Sequence, residues 1–169
     1  MRKDSHRSDK SLLITFLIKT GLIMLSVWLL LTFVLSITIH YGNNMYPAIR
    51  DGDCIIGFRM QDPYINAAVI YRREGKKCIG RVVALGGSEV DISDLGVITV
   101  NGAVPSEEVF YPTYPSESAD ITYPCYVEEG KVFILNDFRS DTGDSRSFGT
   151  VDLKDVDGPI LFSMRRRGF

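Results

Sequence analysis

The chain has 169 residues, of which 45% are hydrophobic and 24% charged, with a formal net charge of −2. That length fits one domain plus an accessory segment, and the modest charge gives no support to nucleic-acid binding. Three cysteines without metal-ligand spacing, with only His6 and His40 to join them, argue against a metal centre, and no cofactor is expected.

Taken in order, residues 1–10 carry Arg2, Lys3, Arg7 and Lys10 against Asp4 and Asp9. From Thr20 to Ile39 there is no charged residue. About twenty apolar residues in a helix cross the roughly 30 Å hydrocarbon core, so a transmembrane helix is predicted over residues 11–39. Lys19 either snorkels toward the nearer interface or faces a protein partner. The run is longer than the apolar region of a signal peptide and no small-x-small cleavage pattern follows it. The positive-inside rule places residues 1–10 in the cytoplasm and residues 40–169 outside, in a single-pass protein of the cell membrane in contact with its lipid.

Beyond the helix the chain reads as a mainly β domain. Residues 40–53 come first: Gly42 and Pro47 punctuate the backbone, Met45 offers an apolar anchor, and Asp51-Gly52-Asp53 is turn chemistry. Strands are predicted over 53–59, 67–72, 78–85, 89–93 and 97–100, with a polar turn at 73–77 and a stop at Gly86-Gly87-Ser88. Asn101-Gly102 suits the positive φ angles of a tight hairpin turn. Residues 105–124 turn to Pro, Ser, Tyr and Glu, and the tyrosines between Phe110 and Tyr126 fit either a packed loop or a contact surface. A strand at 131–135, a polar loop at 136–149 and closing segments at 151–156 and 160–164 complete the domain. Arg165-Arg166-Arg167 reads as a solvated tail or as a contact for anionic headgroups. Cys54 and Cys78 sit in apolar strand contexts that suit buried free thiols, while pairing of any two of Cys54, Cys78 and Cys125 stays open.

The stretch Gly42-Asn43-Asn44-Met45-Tyr46-Pro47, followed by Gly52-Asp53, resembles the signature of type I signal peptidases, which are membrane-tethered serine proteases. Gly80-Arg81-Val82-Val83-Ala84-Leu85-Gly86-Gly87-Ser88 is similar to that family's Lys-Arg-Val box. Asn136-Asp137-Phe138-Arg139 and Asp144-Ser145-Arg146-Ser147-Phe148-Gly149 are similar to its last box. With the helix before the first box, the resemblance spans nearly the whole chain. It implies the Gram-positive form of the fold, since no large insertion separates the boxes.

In the family a Ser precedes the Met and a Lys, shielded from water so that it can accept a proton, opens the second box. Here those positions are Asn44 and Gly80. A carboxamide is not an activatable nucleophile and glycine has no base to offer, so the resemblance implies no catalytic dyad. Lys76, Lys77 and Ser88 lie on turns and make no evident substitute. Asp144 and Arg146 match a supporting ion pair, and Thr142 matches a hydroxyl that bonds the family's Lys. Degenerate members without the dyad resemble accessory proteins of sortase-dependent pilus assembly in streptococci, with pilin subunits and a sortase as partners. Strand-pairing recognition needs no nucleophile. A peptide-binding set of Gly42, Asn44, Met45, Pro47, Gly80 and Arg81 is therefore expected. The competing expectation is an active signal peptidase with a non-standard dyad, marked by a hydroxyl within about 3 Å of a lysine amine facing the groove.

Overall fold

The computed structural model describes residues 5–106, 111–117, 119 and 121–165, with side chains from Ser11 onward. Phe110, Arg166, Arg167 and residues 1–4 lie outside the described residues. Contacts divide the chain into two compact units, Met1–Leu35 and Ser36–Phe169.

The first unit is helix α1 (Ser5–Leu29) continued by a wider turn at Leu30–Val34. The apolar stretch Ser11–Val34 has 24 residues and none of its most apolar window is buried against protein. An apolar surface on all sides with no protein covering it is what a lipid-facing helix presents. The helix ends at Val34, five residues before the predicted boundary at Ile39, and it begins at Ser5, inside the expected tail. Leu35–Ile39 instead forms strand β1, because Ile37, Thr38 and Ile39 are β-branched and find a pairing partner in the next strand.

The second unit is mainly β, as its alternating segments predict. Its larger sheet also contains β2 (Cys54–Phe58), β3 (Ala68–Arg73), β4 (Lys76–Leu85), β8 (Lys131–Leu135), β9 (Val151–Asp152) and β10 (Val156–Met164), in the order β1-β2-β10-β3-β4-β8-β9. A smaller sheet runs β6-β5-β7, from β5 (Glu89–Ile92), β6 (Ile98–Val100) and β7 (Cys125–Tyr126). Strands β3 and β4 form a hairpin closed by Glu74 and Gly75, both at positive φ, so each strand reaches further into the expected turn at 73–77. Asn101 and Gly102 also take positive φ, but the turn they make closes only one bridge, Val100 to Ala103. The chain after Ala103 leaves for the Tyr-rich excursion, and β6 pairs instead with β5.

Strand β10 serves two neighbours. Residues 160–164 pair with β2 and residues 156–159 with β3, with register shifts at Ile160/Phe162 and at Val156/Gly158. Gly158 (φ 118°) permits that switch, because a Cβ there would overlap the Phe58 carbonyl oxygen. A further bulge, in the β4–β8 pairing, puts Val82, Val83 and Ala84 all in the interior, which strict alternation forbids. Between the two sheets lie Val83, Val90, Ile92, Val127, Phe133 and Leu135. A separate cluster of Met45, Ile49, Ile55, Ile70 and Ile79 packs the 45–49 turn onto the sheet. Complete burial of these side chains contributes about 1.5–3 kcal/mol each and fixes the loop that carries the site.

Candidate functional site

The loop between β1 and β2 is pinned at both ends. The His40 amide donates to Asp53 O (2.9 Å), and the Gly52 amide donates to His40 O (2.9 Å). Gly42, at φ 95°, donates to Asp51 Oδ1 (2.7 Å), while Asp53 accepts from the Arg50 amide (3.0 Å). Met45 is fully buried, so Asn44 beside it is carried to the wall of a groove of about 310 Å³. Thr38, Lys77, Cys78, Ile79, Asn136 and Asp141 are among the other residues lining it.

Asn44 is tied across that groove. Its Nδ2 donates to Ile79 O (3.1 Å) and to Asn136 Oδ1 (2.9 Å). Because a carbonyl only accepts, the Ile79 contact fixes which end of the carboxamide is nitrogen. Asn44 Oδ1 and the Asn44 backbone N–H have no hydrogen-bond partner among the described residues. Asn44 O accepts from the Phe138 amide (2.9 Å), which joins the first and last sequence boxes. Gly80 lies next to Ile79 on β4, opposite Val69. A Cβ at Gly80 would overlap the Ile134 Cγ2 methyl and stand 3.5 Å from Tyr71 Cε1, so neighbouring side chains fill the volume that a side chain at 80 needs.

Behind the groove Asp144 and Arg146 form a fully buried ion pair at 2.7 Å. Arg146 uses all five of its N–H donors. Nε and Nη2 bond the two Asp144 oxygens (2.9 and 2.7 Å), Nη1 donates to Tyr114 O and Arg139 O, and Nη2 also donates to Asp141 O. Asp144 caps helix α2 (Ser145–Phe148) by accepting from the Arg146 amide, and its Oδ2 accepts from the Asn136 amide (2.9 Å). The pair is thus joined to Asn44 through Asn136. Thr142 is not among the residues lining the groove; it lines a separate cavity with Ser116 and Arg139, and its carbonyl accepts from the Ser147 hydroxyl.

Of the expected peptide-binding residues, the structure brings Gly42 and Asn44 to the groove, with Gly80 beneath it. It does not bring Met45, Pro47 or Arg81 there. Met45 is held by the apolar cluster with Ile55, Ile70 and Ile79, and Pro47 is exposed on the outer turn. Arg81 makes a bidentate pair with Asp137 (2.7 Å at both oxygens) and donates to Asn66 O. Lys77, expected on a turn away from Asn44, lies on β4 and lines the groove.

Sequence reasoning did not single out His40, Cys78 or Asn136 as residues of the groove. His40 is 5% exposed with Nε2 unpartnered among the described residues, and burial holds its imidazole below the usual pKa against the opposing pull of Asp51 and Asp53. Burial likewise pushes the Cys78 thiol up. All three cysteines are free and half-buried rather than fully enclosed. The one signal for Asn136 was its place at the head of the last box, 92 residues from its partner.

A family model described as signal peptidase, peptidase S26, matches residues 13–164. The chain is 29% identical over 135 residues to a probable thylakoidal processing peptidase 2, chloroplastic, of Arabidopsis thaliana, covering 72% of this chain and 35% of that one. It is 24% identical over 136 residues to a probable signal peptidase I-1 of Synechocystis, covering 72% of this chain and 66% of that one. The chain therefore spans between about a third and two thirds of the length of these curated relatives. A crystal structure of a signal peptidase I from Enterococcus faecalis V583 aligns with a TM-score of 0.49 at 26% identity, covering 59% of this chain and 97% of that one.

Proposed function

The chain belongs to the signal peptidase, peptidase S26, family, and we propose that it is a member that binds extended peptide without cutting it. In this reading α1 anchors it in the cell membrane, with the N-terminus cytoplasmic and the β domain outside. Its role is that of a chaperone-like accessory factor in sortase-dependent pilus assembly, receiving pilin subunits. The observation that carries the reading is Asn44. Its amide nitrogen is committed to Ile79 O and Asn136 Oδ1, yet its backbone N–H and its Oδ1 remain for a ligand. One donor and one acceptor at a groove wall match the C=O and N–H of an extended chain, the currency of strand addition. The overlap awaiting any side chain at Gly80 supports the same reading, because the resemblance puts the general base there.

A second reading, an active peptidase with a displaced dyad, is favoured by the names of the relatives and by one contact. Lys77 Nζ stands 2.9 Å from Ser36 Oγ. Against it, Ser36 is 1% exposed and its hydroxyl donates to Asp157 Oδ2 (2.7 Å). A nucleophile must reach a carbonyl carbon at about 3–3.5 Å, and a hydroxyl enclosed in this way does not.

The test is cleavage of a pre-pilin signal peptide by the full chain in detergent micelles, with binding of the same peptide read in parallel. Binding without cleavage, and cleavage after Asn44→Ser with Gly80→Lys and Ile134→Ala to make room, is the expected result. Cleavage by the unaltered chain that Ser36→Ala abolishes would establish the second reading and sink the first.

A further inference from the structure

We propose that Arg59, Arg72 and Lys77, gathered round Asp157, form a binding site for the phosphate of an anionic membrane lipid. Asp157 on β10 collects side chains from four other segments: Ser36 on β1, Arg59 just past β2, Arg72 on β3 and Lys77 on β4. Arg59 Nη1 (3.0 Å) and Arg72 Nη2 (2.7 Å) share the same carboxylate oxygen, Oδ1. Ser36 donates to the other oxygen at 2.7 Å, with Lys77 Nζ at 3.8 Å.

Three cations thus converge on one carboxylate whose side chain is 5% exposed, while their own side chains are 25%, 49% and 30% exposed. The anion is inside and the cations form its outer rim. Burial and the two arginines hold the Lys77 amine below the usual lysine value, and Asp157 offsets only part of this. A second anion at the rim relieves that crowding. Arginine is suited to the role, since its planar fork matches phosphate oxygens.

Chain connectivity says which anion. Ser36 follows Val34, the last residue of the apolar span, by two positions, and Lys77 Nζ also donates to Ile37 O (3.0 Å). Two residues of extended chain reach at most about 7 Å. The polar layer on each side of a bilayer is roughly 5–7 Å thick. The tether therefore keeps Ser36, whose hydroxyl bonds the Asp157 carboxylate, within reach of the headgroup layer. This rests on reading Ser11–Val34 as a membrane span.

The competing account is a staple that only joins strands. The full chain, in micelles of a neutral detergent, would be melted during titration with short-chain phosphatidylglycerol, with phosphatidylcholine of equal chain length, and with inorganic phosphate. A saturable rise in Tm with phosphatidylglycerol alone is expected, with half-saturation about fivefold weaker in Arg72→Gln and again in Lys77→Gln. Arg72→Lys should recover part of the loss. Equal response to both lipids, or a response that Arg72→Gln and Lys77→Gln leave unchanged, overturns the site. A matching rise with inorganic phosphate that abolishes the lipid effect overturns the lipid assignment. Alkaline extraction of the chain from vesicles separates the premise. Release sinks the membrane span and the lipid site with it, whereas retention without phosphatidylglycerol preference sinks the site alone.

Discussion

The domain has two charged hubs, and they are built on opposite plans. Around Arg146 the count closes: five donors meet five acceptors, the Asp144 carboxylate is shared among Arg146 and the Asn136 amide, and neither partner touches solvent. Around Asp157 three partly exposed cations meet one buried carboxylate. A closed hub fixes geometry, because every displacement breaks a bond in a medium that cannot replace it. An open hub has solvent-facing valence left over. The first suits a frame for the groove, and the second suits a contact with something outside the chain.

The comparison predicts a ranking of effects. Arg146→Met leaves the Asp144 charge buried and unpaired, and denaturant melting should show a loss of about 3–5 kcal/mol. Asp157→Asn should cost less, about 1–2 kcal/mol, because the three cations it releases can turn to water. Equal costs would erase the distinction between the hubs. Gly80→Ala tests the packing of β4 on β8: overlap with Ile134 should cost about 1–3 kcal/mol, and the cost should shrink in an Ile134→Ala background.

A smaller effect concerns His40. Its folded pKa lies below that of the unfolded chain, so the unfolded state takes up the proton first as pH falls. The stability present above about pH 6.5 should therefore decline on acidification toward the folded value, and His40→Gln should flatten that slope in a melting series. The smallest effect is Arg72→Gln without lipid, which should lie within about 1 kcal/mol, as expected of a half-exposed pair.

Most of the strands were legible because their signals are local. Residues 131–135 form a strand with the predicted bounds, and Gly75 and Asn101-Gly102 take the positive φ angles their types favour. What depended on distant pairing was not. The helix boundary moved from Ile39 to Val34 because β1 had a partner that composition could not reveal. The apolar run Val82-Val83-Ala84 is explained by a bulge against β8, which no single strand encodes. The site divides in the same way. Gly42 and Asn44 stood out from their loop chemistry, whereas Asn136 reached Asn44 only when β8 and the first loop came together. The Asp157 hub draws on four segments besides its own strand, and nothing in the spacing of Ser36, Arg59, Arg72 and Lys77 announces it.

The filled space beside Gly80 also governs which sequences lie one step away. A residue whose side-chain volume stands empty can be replaced singly, and the new side chain is tested on its chemistry alone. Here any larger residue at 80 first meets the Ile134 methyl on the neighbouring strand, so its stability loss is felt before its chemistry can be of use. A basic side chain at this point requires Ile134 to shift or to change as well. The packing therefore works as a latch on the groove's present chemistry.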